Sequence, residues 1–423
     1  MSSKKRDNKG RILRSGERQR EDGRYEYRYT DETGKTRSIY SWRLVSSDKN
    51  PTGKRSKEAL RDMIKKVNRD LEDNVNAYEA YRTSLNSYYD AYISSKVELK
   101  QSTRTNYKYM YKKYVQDDIG MKNIAEITYS DIKNFYMHLI HDLGFKPNSM
   151  EVIHTILHPV FETAVRDNVI RKNPSAGVMK EIKRTHDWEK TKRHALTEEE
   201  QDAFVNYLSE NERLERWRTL FTVLLGTGGR VGEILGLRWE DCDFKNRLIT
   251  IDHSLIYRLQ EDGKCRYVIT TPKTKAGIRI IPMLSEVYDA LLEERKKQML
   301  NNSFNRSVVD GYSGFIFSNR FGDPLNAHNV NRVIERIVKS YNEEELIKAT
   351  KEDRAPIFLP HFTVHNLRHT FCTRFCENET NLKVIQEIMG HADITTTMDV
   401  YNEATKKKKI ESFENLDGKI KIS

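Results

Sequence analysis

The sequence predicts a multidomain, mainly α protein built from three parts. These are a small N-terminal β-sheet plus helix module, a helical bundle, and an α+β domain with a small antiparallel sheet. Strand-like alternation occurs only near the N-terminus and in the middle of the C-terminal half, whereas helical periodicity fills most of the remaining chain. A chain of 423 residues accommodates about two to four domains that each bury a core. We therefore expect domains at residues 1–75, 80–180 and 190–423.

The amino-acid composition indicates what kind of partner the protein binds and in which compartment it works. The chain holds 73 Lys and Arg residues against 62 Asp and Glu residues, a net charge of +11, and more than half of this excess lies near the N-terminus. Such a balance indicates a polyanionic partner. The four cysteines form no C-x-x-C pair, which argues against a disulfide scaffold or a zinc module and favours a reducing cytoplasm. No apolar run approaches the roughly 18 residues of a membrane span, so we expect a soluble protein without membrane contact.

The first domain shows a strand, a turn and a helix. In the stretch GRYEYRYTDETGK, the alternate tyrosines from Tyr25 to Tyr29 lie on one face of a strand, and Glu26 and Arg28 lie on the other. Helical spacing follows at about 57–72. The tyrosine face suits packing against this helix. The arginine face suits contact with nucleic-acid phosphates, and the two interpretations are compatible.

The second domain contains four stretches with helical spacing, separated by glycine and proline, which predicts an independent helical bundle. His154 and His158 have the spacing of a zinc-binding pair on a helix, but Thr155 stands where a metalloprotease has its glutamate. We therefore expect a structural or surface role for both histidines. Lys108, Lys112 and Lys113, interleaved with tyrosines, suit phosphate contact as well as an ordinary solvated helix face.

The segment between Asn173 and Thr197 is polar and basic without an apolar period, so we interpret it as a linker to the third domain. Thr197 precedes three glutamates, which predicts the start of a helix. In the third domain a helix is interrupted at 226–229. Three strand-like runs follow it, RLITIDHSLIYR, CRYVITTPK and IRIIPM, and the remainder has helical spacing.

A set of arginine, lysine, histidine and tyrosine side chains in the third domain indicates a candidate active site. Arg230 follows the glycine-rich break at a helix start. His365 and Arg368 lie one helical turn apart among apolar neighbours, where a buried arginine is costly without an anionic partner. None of these residues is distinctive alone. The complete candidate set in chain order is Arg230, Lys273, His365, Arg368, His391 and Tyr401.

Three motifs carry this set: TGGRVGEILGLRW, HNLRHTFCT and IMGHADITTTMDVY. Together they resemble the tyrosine recombinase (phage integrase) family, and the match covers most of the third domain. The helical bundle is similar to the family's core-site DNA-binding domain. The basic N-terminal module resembles the arm-site DNA-binding domain of integrases from phages and conjugative transposons. The opening segment KKRDNKGRILRSGERQREDGRY resembles the conjugative-transposon type in particular.

The resemblance implies an enzyme that cleaves and rejoins DNA through a covalent 3′-phosphotyrosine, for integration and excision of a mobile element such as a conjugative transposon. Tyr401, ten residues after His391, would attack the phosphodiester, and this spacing lies within the family's range. Arg230 and Arg368 would stabilise the negative charge on the non-bridging oxygens, because a guanidinium presents a rigid, always-charged fork.

The remaining residues receive supporting roles from the same resemblance. His365 and His391 would add hydrogen-bond donors, and His365 would also accept the tyrosine proton. Lys273 would protonate the departing 5′ oxygen, with Lys275 as the alternative because the register of the hairpin is open. Glu233 would support the site from behind, or else is an ordinary surface neighbour. With this much fixed positive charge, no metal or cofactor is required.

The expected partners are double-stranded DNA, at core and arm sites, and further copies of the chain. The resemblance implies a homo-tetramer on two duplexes. It also implies exchange of the C-terminal tail between protomers through Ile410, Phe413 and Leu416, and a frayed, solvated tail is the alternative. Accessory excision factors or host DNA-bending factors are further possible partners.

Two other functions compete with this interpretation. A type IB-like topoisomerase would share the phosphotyrosine chemistry, but it needs neither a basic N-terminal module nor a tail suited to tetramers. A catalytically idle DNA-binding regulator would have lost at least one active-site residue, and the sequence retains the complete set.

Overall fold

The structure, a computed structural model, describes residues 5–31, 34–56, 58–73, 82–185, 194–260, 263–272, 275–305 and 307–404. The chain forms two compact units, residues 1–191 and 192–423. Within the described ranges, no helix combines the length and the apolar character needed to cross a membrane.

Over the described residues from 5 to 73, the N-terminal module is a three-stranded antiparallel sheet with one helix. Strands β1 (Glu17–Gln19), β2 (Tyr25–Thr30) and β3 (Thr36–Ser41) lie in the order β1-β2-β3, and helix α1 spans Leu60–Glu72. Tyr25 is buried in a small core with Leu44 and Leu60, which confirms that the tyrosine face packs inward. Strand β1 has only three residues, too few for an alternation pattern to reveal it.

The opposite face of this sheet carries arginines and aromatic rings around one buried carboxylate. Glu26 accepts hydrogen bonds from Arg18 Nε at 2.5 Å and from Ser38 Oγ at 2.9 Å. The guanidinium of Arg24 lies 5.6 Å from the centre of the Tyr40 ring. The sheet therefore presents a cationic and aromatic surface on the side away from its core.

In the described residues from 82 to 185, five helices form the second part of the first unit. They are α2 (Leu85–Ser95), α3 (Gln101–Tyr114), α4 (Tyr129–His141), α5 (Pro147–Arg166) and α6 (Val178–Thr185). The first four confirm the predicted bundle, whose core includes Tyr136, Leu157 and Phe161. Helix α6 corrects the predicted linker, because Val178 and Ile182 lie one turn apart and are buried in the bundle core. The polar residues around this short apolar face concealed it in the sequence.

The two histidines of α5 have protein partners within the bundle. His154 Nδ1 lies 3.0 Å from the Tyr136 hydroxyl, and His158 Nδ1 lies 2.9 Å from the Ser175 hydroxyl. Burial, with a smaller effect of the neighbouring His158, lowers the pKa of His154 to about 4. Both contacts agree with the structural role that the sequence predicts for this pair.

The second unit is mainly helical. Helices α7 (Glu198–Glu210), α8 (Glu215–Thr227) and α9 (Val231–Leu235) precede its strands. Helices α10 (Ser285–Leu300), α11 (Ala327–Lys351), α12 (Val364–Asn378), α13 (Leu382–Met389) and α14 (Ile394–Ala404) follow them. The Thr197 side chain accepts a hydrogen bond from the Glu200 amide, which confirms the predicted start of α7.

Short strands between α9 and α10 form two sheets. Strands β4 (Cys242–Asp243), β5 (Leu248–Ile251) and β8 (Arg279–Pro282) make one antiparallel sheet, and β6 (Ser254–Leu259) pairs with β7 (Cys265–Thr270) in a separate hairpin. Ile249 lies opposite Ile281, and both are buried in the core of the unit. The first predicted run is not one strand but two, because the chain leaves the first sheet at His253. This residue is buried, with Nε2 2.8 Å from the Gly236 carbonyl oxygen.

Candidate active site

Helix α8 ends in a left-handed turn that places Arg230 at the start of α9. Gly228 caps α8 with a φ of 59°, and a Cβ at this position would come within 2.3 Å of the Phe371 ring. Glycine alone combines this backbone conformation with such close packing. Arg230 is the N-cap residue of α9, and its side chain is 43% exposed. The predicted helix break is therefore confirmed, and it presents a guanidinium at the surface.

Glu233 holds Arg230 by two hydrogen bonds. Its Oε1 accepts from Arg230 Nη1 at 2.8 Å, and its Oε2 accepts from the Arg230 amide at 2.8 Å. The Glu233 side chain is 4% exposed, so it is not a surface neighbour. Burial by itself raises the pKa of Glu233, but the hydrogen bonds and charges of Arg279 and Arg230 outweigh burial and lower that pKa. The carboxylate is therefore ionised beside Arg230.

Arg279, the first residue of β8, belongs to the site although the motifs do not indicate it. Its Nη2 donates to Glu233 Oε2 at 2.8 Å, its Nε to the Ile388 carbonyl at 2.7 Å, and its Nη1 to the Gly277 carbonyl at 3.2 Å. One signal in the sequence could have found it. Strand alternation in IRIIPM places Arg279 on the same face as Ile281, and this is the buried face.

Arg368 lies on α12 and has a relative exposure of 5%. Its Nη1 donates to the Gly228 carbonyl and its Nη2 to the Met389 carbonyl, each at 2.6 Å. Burial, followed by the positive charge of Arg230, lowers the pKa of Arg368 to about 10, so the guanidinium is still charged at neutral pH. Both carbonyls are neutral, so Arg368 contributes a positive field that suits an incoming anion.

His365 occupies the first turn of α12 and is exposed. The next residue, Asn366, completes a capping box, because its Oδ1 accepts from the Thr363 amide at 3.0 Å and from the Thr363 hydroxyl at 2.8 Å. The Asn366 Nδ2 also donates to the His194 carbonyl at 3.1 Å. Asparagine at this position therefore fixes the start of the helix and joins it to the first described residues of the unit.

His391 follows α13, which ends at Gly390 with a φ of 62°. Its Nδ1 lies 2.9 Å from the Thr397 hydroxyl. Burial, followed by the charges of Arg368 and Arg230, lowers the pKa of His391 to about 4. The imidazole is therefore neutral at pH 7. When the Thr397 hydroxyl donates to Nδ1, the Nε2 proton is available for a hydrogen bond to a ligand.

Tyr401 lies on α14 one turn after Thr397, so the two side chains share a face of that helix. The Tyr401 ring packs against a cluster that includes Cys372 and Ile385. Helix α14 thereby packs on both α12 and α13. The helix of Tyr401 is positioned by the helix of Arg368 and by the helix that precedes His391.

The C-terminal end of α13 connects the two predicted arginines. Arg368 Nη2 donates to the Met389 carbonyl at 2.6 Å, and Arg230 Nη2 donates to the adjacent Gly390 carbonyl at 2.9 Å. His391 is the next residue. The structure therefore brings Arg230, Arg368 and His391 to one place, where fixed N–H donors suit an anion with several oxygens.

Two parts of the predicted constellation fall outside the described residues. Lys273 lies in one of them, and for Lys275 only the backbone is described, in a 3₁₀ turn at Lys275–Gly277. The tail residues Ile410, Phe413 and Leu416 lie in the other. The roles of these lysines and of the tail stay predictions.

Within the described ranges, one group of side chains has ligand atoms close enough together for a metal ion: Asp241, Asp252 and His253. Asp241 is paired with Arg238 at 2.9 Å, and His253 Nε2 lies 2.8 Å from the Gly236 carbonyl oxygen. These contacts support the segment after α9. We therefore assign the group to the stability of the fold.

Family models match the chain in three places. The phage integrase family matches residues 194–408, the DNA binding domain of Tn916 integrase matches residues 1–71, and the phage integrase N-terminal SAM-like domain matches residues 84–140. The first of these matches contains the whole set of predicted site residues.

Individual proteins resemble most or nearly all of the chain. The transposase from transposon Tn916 of Enterococcus faecalis is 36% identical over 407 residues, which cover 96% of this chain and 95% of that protein. The transposase from transposon Tn1545 of Streptococcus agalactiae has the same identity and coverage. The structure of the Tn1549 transposon integrase in complex with transposon right end DNA superposes with a TM-score of 0.67 at 29% identity. That match covers 79% of this chain and 100% of the integrase chain.

Proposed function

This chain belongs to the phage integrase family as a tyrosine recombinase of the conjugative-transposon type, and we propose how its residues carry out the reaction. It is a site-specific recombinase, an enzyme that cleaves and rejoins double-stranded DNA. The resemblance carried by its motifs is thereby confirmed, as is the predicted mainly α fold with small antiparallel sheets.

The reaction that we propose integrates and excises a mobile element through a covalent 3′-phosphotyrosine. The observation that carries this proposal is the anchoring of Arg230 and Arg368 on the adjacent carbonyls of Gly390 and Met389. These anchors occupy some of the N–H groups of each guanidinium, and the others are left to bind the non-bridging oxygens of the scissile phosphate. Because the guanidiniums are held before DNA binds, they stabilise the pentavalent transition state without reorganisation.

Tyr401 is the nucleophile in this proposal. Its phenol attacks phosphorus, the proton passes to His365, and the bond to the 5′ oxygen breaks. His391 donates its Nε2 proton to a phosphate oxygen, and Thr397 holds the ring at 2.9 Å. Attack by the 5′ hydroxyl of another strand then releases the tyrosine and completes strand exchange. The energy of the phosphodiester bond is conserved in the covalent intermediate.

The proton for the departing 5′ oxygen comes from Lys273, with Lys275 as the alternative. Glu233 keeps Arg230 in place from within the protein, as its two hydrogen bonds to Arg230 support. Arginine and histidine donors stabilise the negative charge on the phosphate, so the reaction as we propose it uses no metal and no cofactor.

The three predicted domains divide the work on DNA. Residues 1–75 bind arm sites, residues 80–180 bind core sites, and residues 190–423 catalyse strand exchange. The arm-site role is supported by the cationic and aromatic outer face of the N-terminal sheet, where Arg24 lies over Tyr40. The family matches to residues 1–71 and 84–140 support the same division.

Assembly follows from the need to exchange strands between duplexes. We propose a homo-tetramer on two duplexes, in which the C-terminal tail of one protomer docks on the next. Accessory excision factors or host DNA-bending factors set the direction of the reaction. The proposed place of action is the bacterial cytoplasm, where the DNA substrate is found.

Trapping the covalent intermediate tests this function. The full-length protein is mixed, in EDTA, with a nicked suicide duplex that carries the ends of the mobile element, and the products are separated on a denaturing gel. Wild type is compared with Tyr401→Phe and with the control Tyr257→Phe, which alters a tyrosine that is 47% exposed. We expect a 3′-linked adduct with wild type and the control, and none with Tyr401→Phe.

Each other outcome points to a different assignment. An adduct with Tyr401→Phe would move the nucleophile to another tyrosine. Duplex binding by wild type without an adduct would favour a catalytically idle regulator. Relaxation of supercoiled DNA without strand transfer would favour a type IB-like topoisomerase.

A further inference from the structure

We infer that Arg279 is a positioning residue for strand cleavage. Its guanidinium holds the Glu233 carboxylate beside Arg230 and the Ile388 carbonyl two residues before Gly390, and thereby keeps donors from separate parts of the chain in one arrangement. This inference rests on the proposed function of the same site.

The end of helix α13 binds three arginines in consecutive order. Arg279 Nε donates to the Ile388 carbonyl at 2.7 Å, Arg368 to the Met389 carbonyl at 2.6 Å, and Arg230 to the Gly390 carbonyl at 2.9 Å. The last carbonyls of a helix have no donors within that helix, and they carry the negative end of its dipole. The end of α13 is therefore a natural set of anchors for cations. Arg279 occupies the first anchor of the three.

Arg279 differs from the other two arginines because its remaining N–H groups also bind acceptors within the protein. Its side chain is 5% exposed, and its Nη1 and Nη2 donate to the Gly277 carbonyl and to Glu233 Oε2. Every nitrogen of the guanidinium thus has a protein acceptor, whereas the Arg230 side chain is 43% exposed. Arg279 therefore acts through its neighbours and does not itself touch the phosphate.

Glu233 is the neighbour through which Arg279 reaches Arg230. The carboxylate binds Arg279 through Oε2 and Arg230 Nη1 through Oε1, so a shift of one pair moves the other. A buried carboxylate that loses one of its cations is strongly destabilised where it stands. Without Arg279, Glu233 would reorient toward the remaining positive charges of the site. Arg230 would then lose the contact that sets the direction of its guanidinium.

The chemistry of arginine is required at this position. A guanidinium presents a rigid planar fork that can satisfy Glu233, Ile388 and Gly277 together, whereas the ammonium of lysine is a single point charge. Lysine therefore keeps the ion pair with Glu233 but not the whole set of contacts. We expect Arg279→Lys to retain part of the function that Arg279→Met loses.

The test measures single-turnover adduct formation by full-length Arg279→Lys and Arg279→Met on the nicked suicide duplex. Duplex affinity and the Tm of each variant are measured in parallel. Arg238→Met is the matched control, because Arg238 also forms a largely buried ion pair in the same unit, with Asp241 at 2.9 Å. This pair lies in the segment after α9, where the Arg238 guanidinium donates to both carboxylate oxygens of Asp241 and stacks over the Tyr312 ring.

Arg279→Met is expected to slow adduct formation about a hundredfold, since a displacement of about 1 Å in a reacting arrangement has effects of that size. Its duplex affinity should match that of wild type, and Arg279→Lys should recover part of the rate. Arg238→Met should lower the Tm and leave the rate of the folded protein unchanged. Equal rates for Arg279→Met and Arg238→Met at a temperature where both are folded would assign Arg279 to stability alone.

A double-mutant cycle with Glu233→Gln tests whether Arg279 affects the cleavage rate through Glu233. If Arg279 acts through Glu233, the combined loss of rate in Glu233→Gln with Arg279→Met is much smaller than the product of the two single losses. A combined loss equal to that product would overturn the inference. If wild type itself forms no adduct, the proposed function is wrong and the inference with it. Cleavage by wild type and by Arg279→Met at the same rate would refute the inference alone.

Discussion

Arg230 and Arg368 lie far apart in the chain and donate to adjacent carbonyls, Arg230 to Gly390 at 2.9 Å and Arg368 to Met389 at 2.6 Å. Both carbonyls belong to the C-terminal end of α13, where helix geometry leaves acceptors without partners. The spacing between the two guanidiniums is therefore set by the backbone of a third segment. Donors that are fixed in this way stabilise a developing charge most effectively.

Replacing Arg230 by lysine should separate binding from cleavage. Arg230→Lys keeps the positive charge but cannot bind Glu233, Gly390 and a phosphate together, so we expect adduct formation to fall by about 10²–10³-fold. Duplex affinity should change little. Gel-shift and suicide-substrate assays measure the two quantities, and Arg216→Lys, at an exposed arginine of the same unit, is the control. Parallel loss of affinity and cleavage would contradict a specific role in the transition state.

Two partly buried histidines should lower the free energy of unfolding at acid pH. Burial is the main cause that lowers the pKa of both His154 and His391 from 6.5 to about 4. Because the folded pKa is depressed, the unfolded chain binds more protons between these values. The stabilisation is thus complete above about pH 6.5 and is lost as the pH falls toward about 4.

Urea unfolding followed at about pH 7 and about pH 5 measures this dependence. His154→Gln should reduce the pH dependence of the first unit, and His391→Gln should reduce that of the second. Unfolding free energies of the two variants that change with pH as steeply as those of wild type would show that neither imidazole is the group that titrates.

Gly228→Ala should destabilise the second unit for two separable reasons. The φ of 59° disfavours any residue with a side chain, and the new Cβ would lie 2.3 Å from the Phe371 ring. We expect a cost of about 1–3 kcal/mol in unfolding free energy, from backbone strain and overpacking together. Gly311→Ala is the matched control, because Gly311 has a φ of 84° and no atom within 4 Å of the added Cβ. Equal losses of unfolding free energy at the two positions would show that the Phe371 ring moves aside at no energetic cost.

Two substitutions of Asn366 should distinguish its two contacts. Asn366→Asp keeps the oxygen that accepts from Thr363 but loses the donor to the His194 carbonyl, whereas Asn366→Ala loses both. We expect Asn366→Ala to reduce the unfolding free energy by about 1 kcal/mol more than Asn366→Asp does, the typical value of a helix cap. Thermal unfolding of the full-length protein measures the difference. Identical Tm values for the two variants would mean that the cap contributes nothing here.

Removing residues 1–75 should abolish binding to arm sites and preserve cleavage at the core site. The outer face of the N-terminal sheet, with Arg24 over Tyr40, is removed with this segment, whereas Arg230 and Arg368 lie in the other unit. Footprinting on arm-site DNA and adduct formation on core-site DNA measure the two functions. Arm-site protection by the truncated protein would contradict the assignment of this module.

Much of the fold could be predicted because its signals are local. Alternation in β2 predicted which tyrosines pack inward, and period-3.6 spacing predicted the first four helices of the bundle. Helix α6 was missed because only a few apolar residues, among them Val178 and Ile182, mark its buried face. The strand run around His253 was predicted as one element, since nothing local reveals that a buried contact with Gly236 divides it.

The sequence by itself determined the class of the protein, the positions of Arg230, His365, Arg368, His391 and Tyr401 in recognisable motifs, and the burial of Arg368. Strand alternation in IRIIPM could also have placed Arg279 on a buried face, but it does not show what this arginine binds. Only the tertiary structure shows that three arginines from separate segments donate to the carbonyl end of α13, and that Glu233 binds two of them. The physical reason is that helix periods and strand alternation act between neighbours in the chain. A shared set of acceptors exists only after distant segments have packed together.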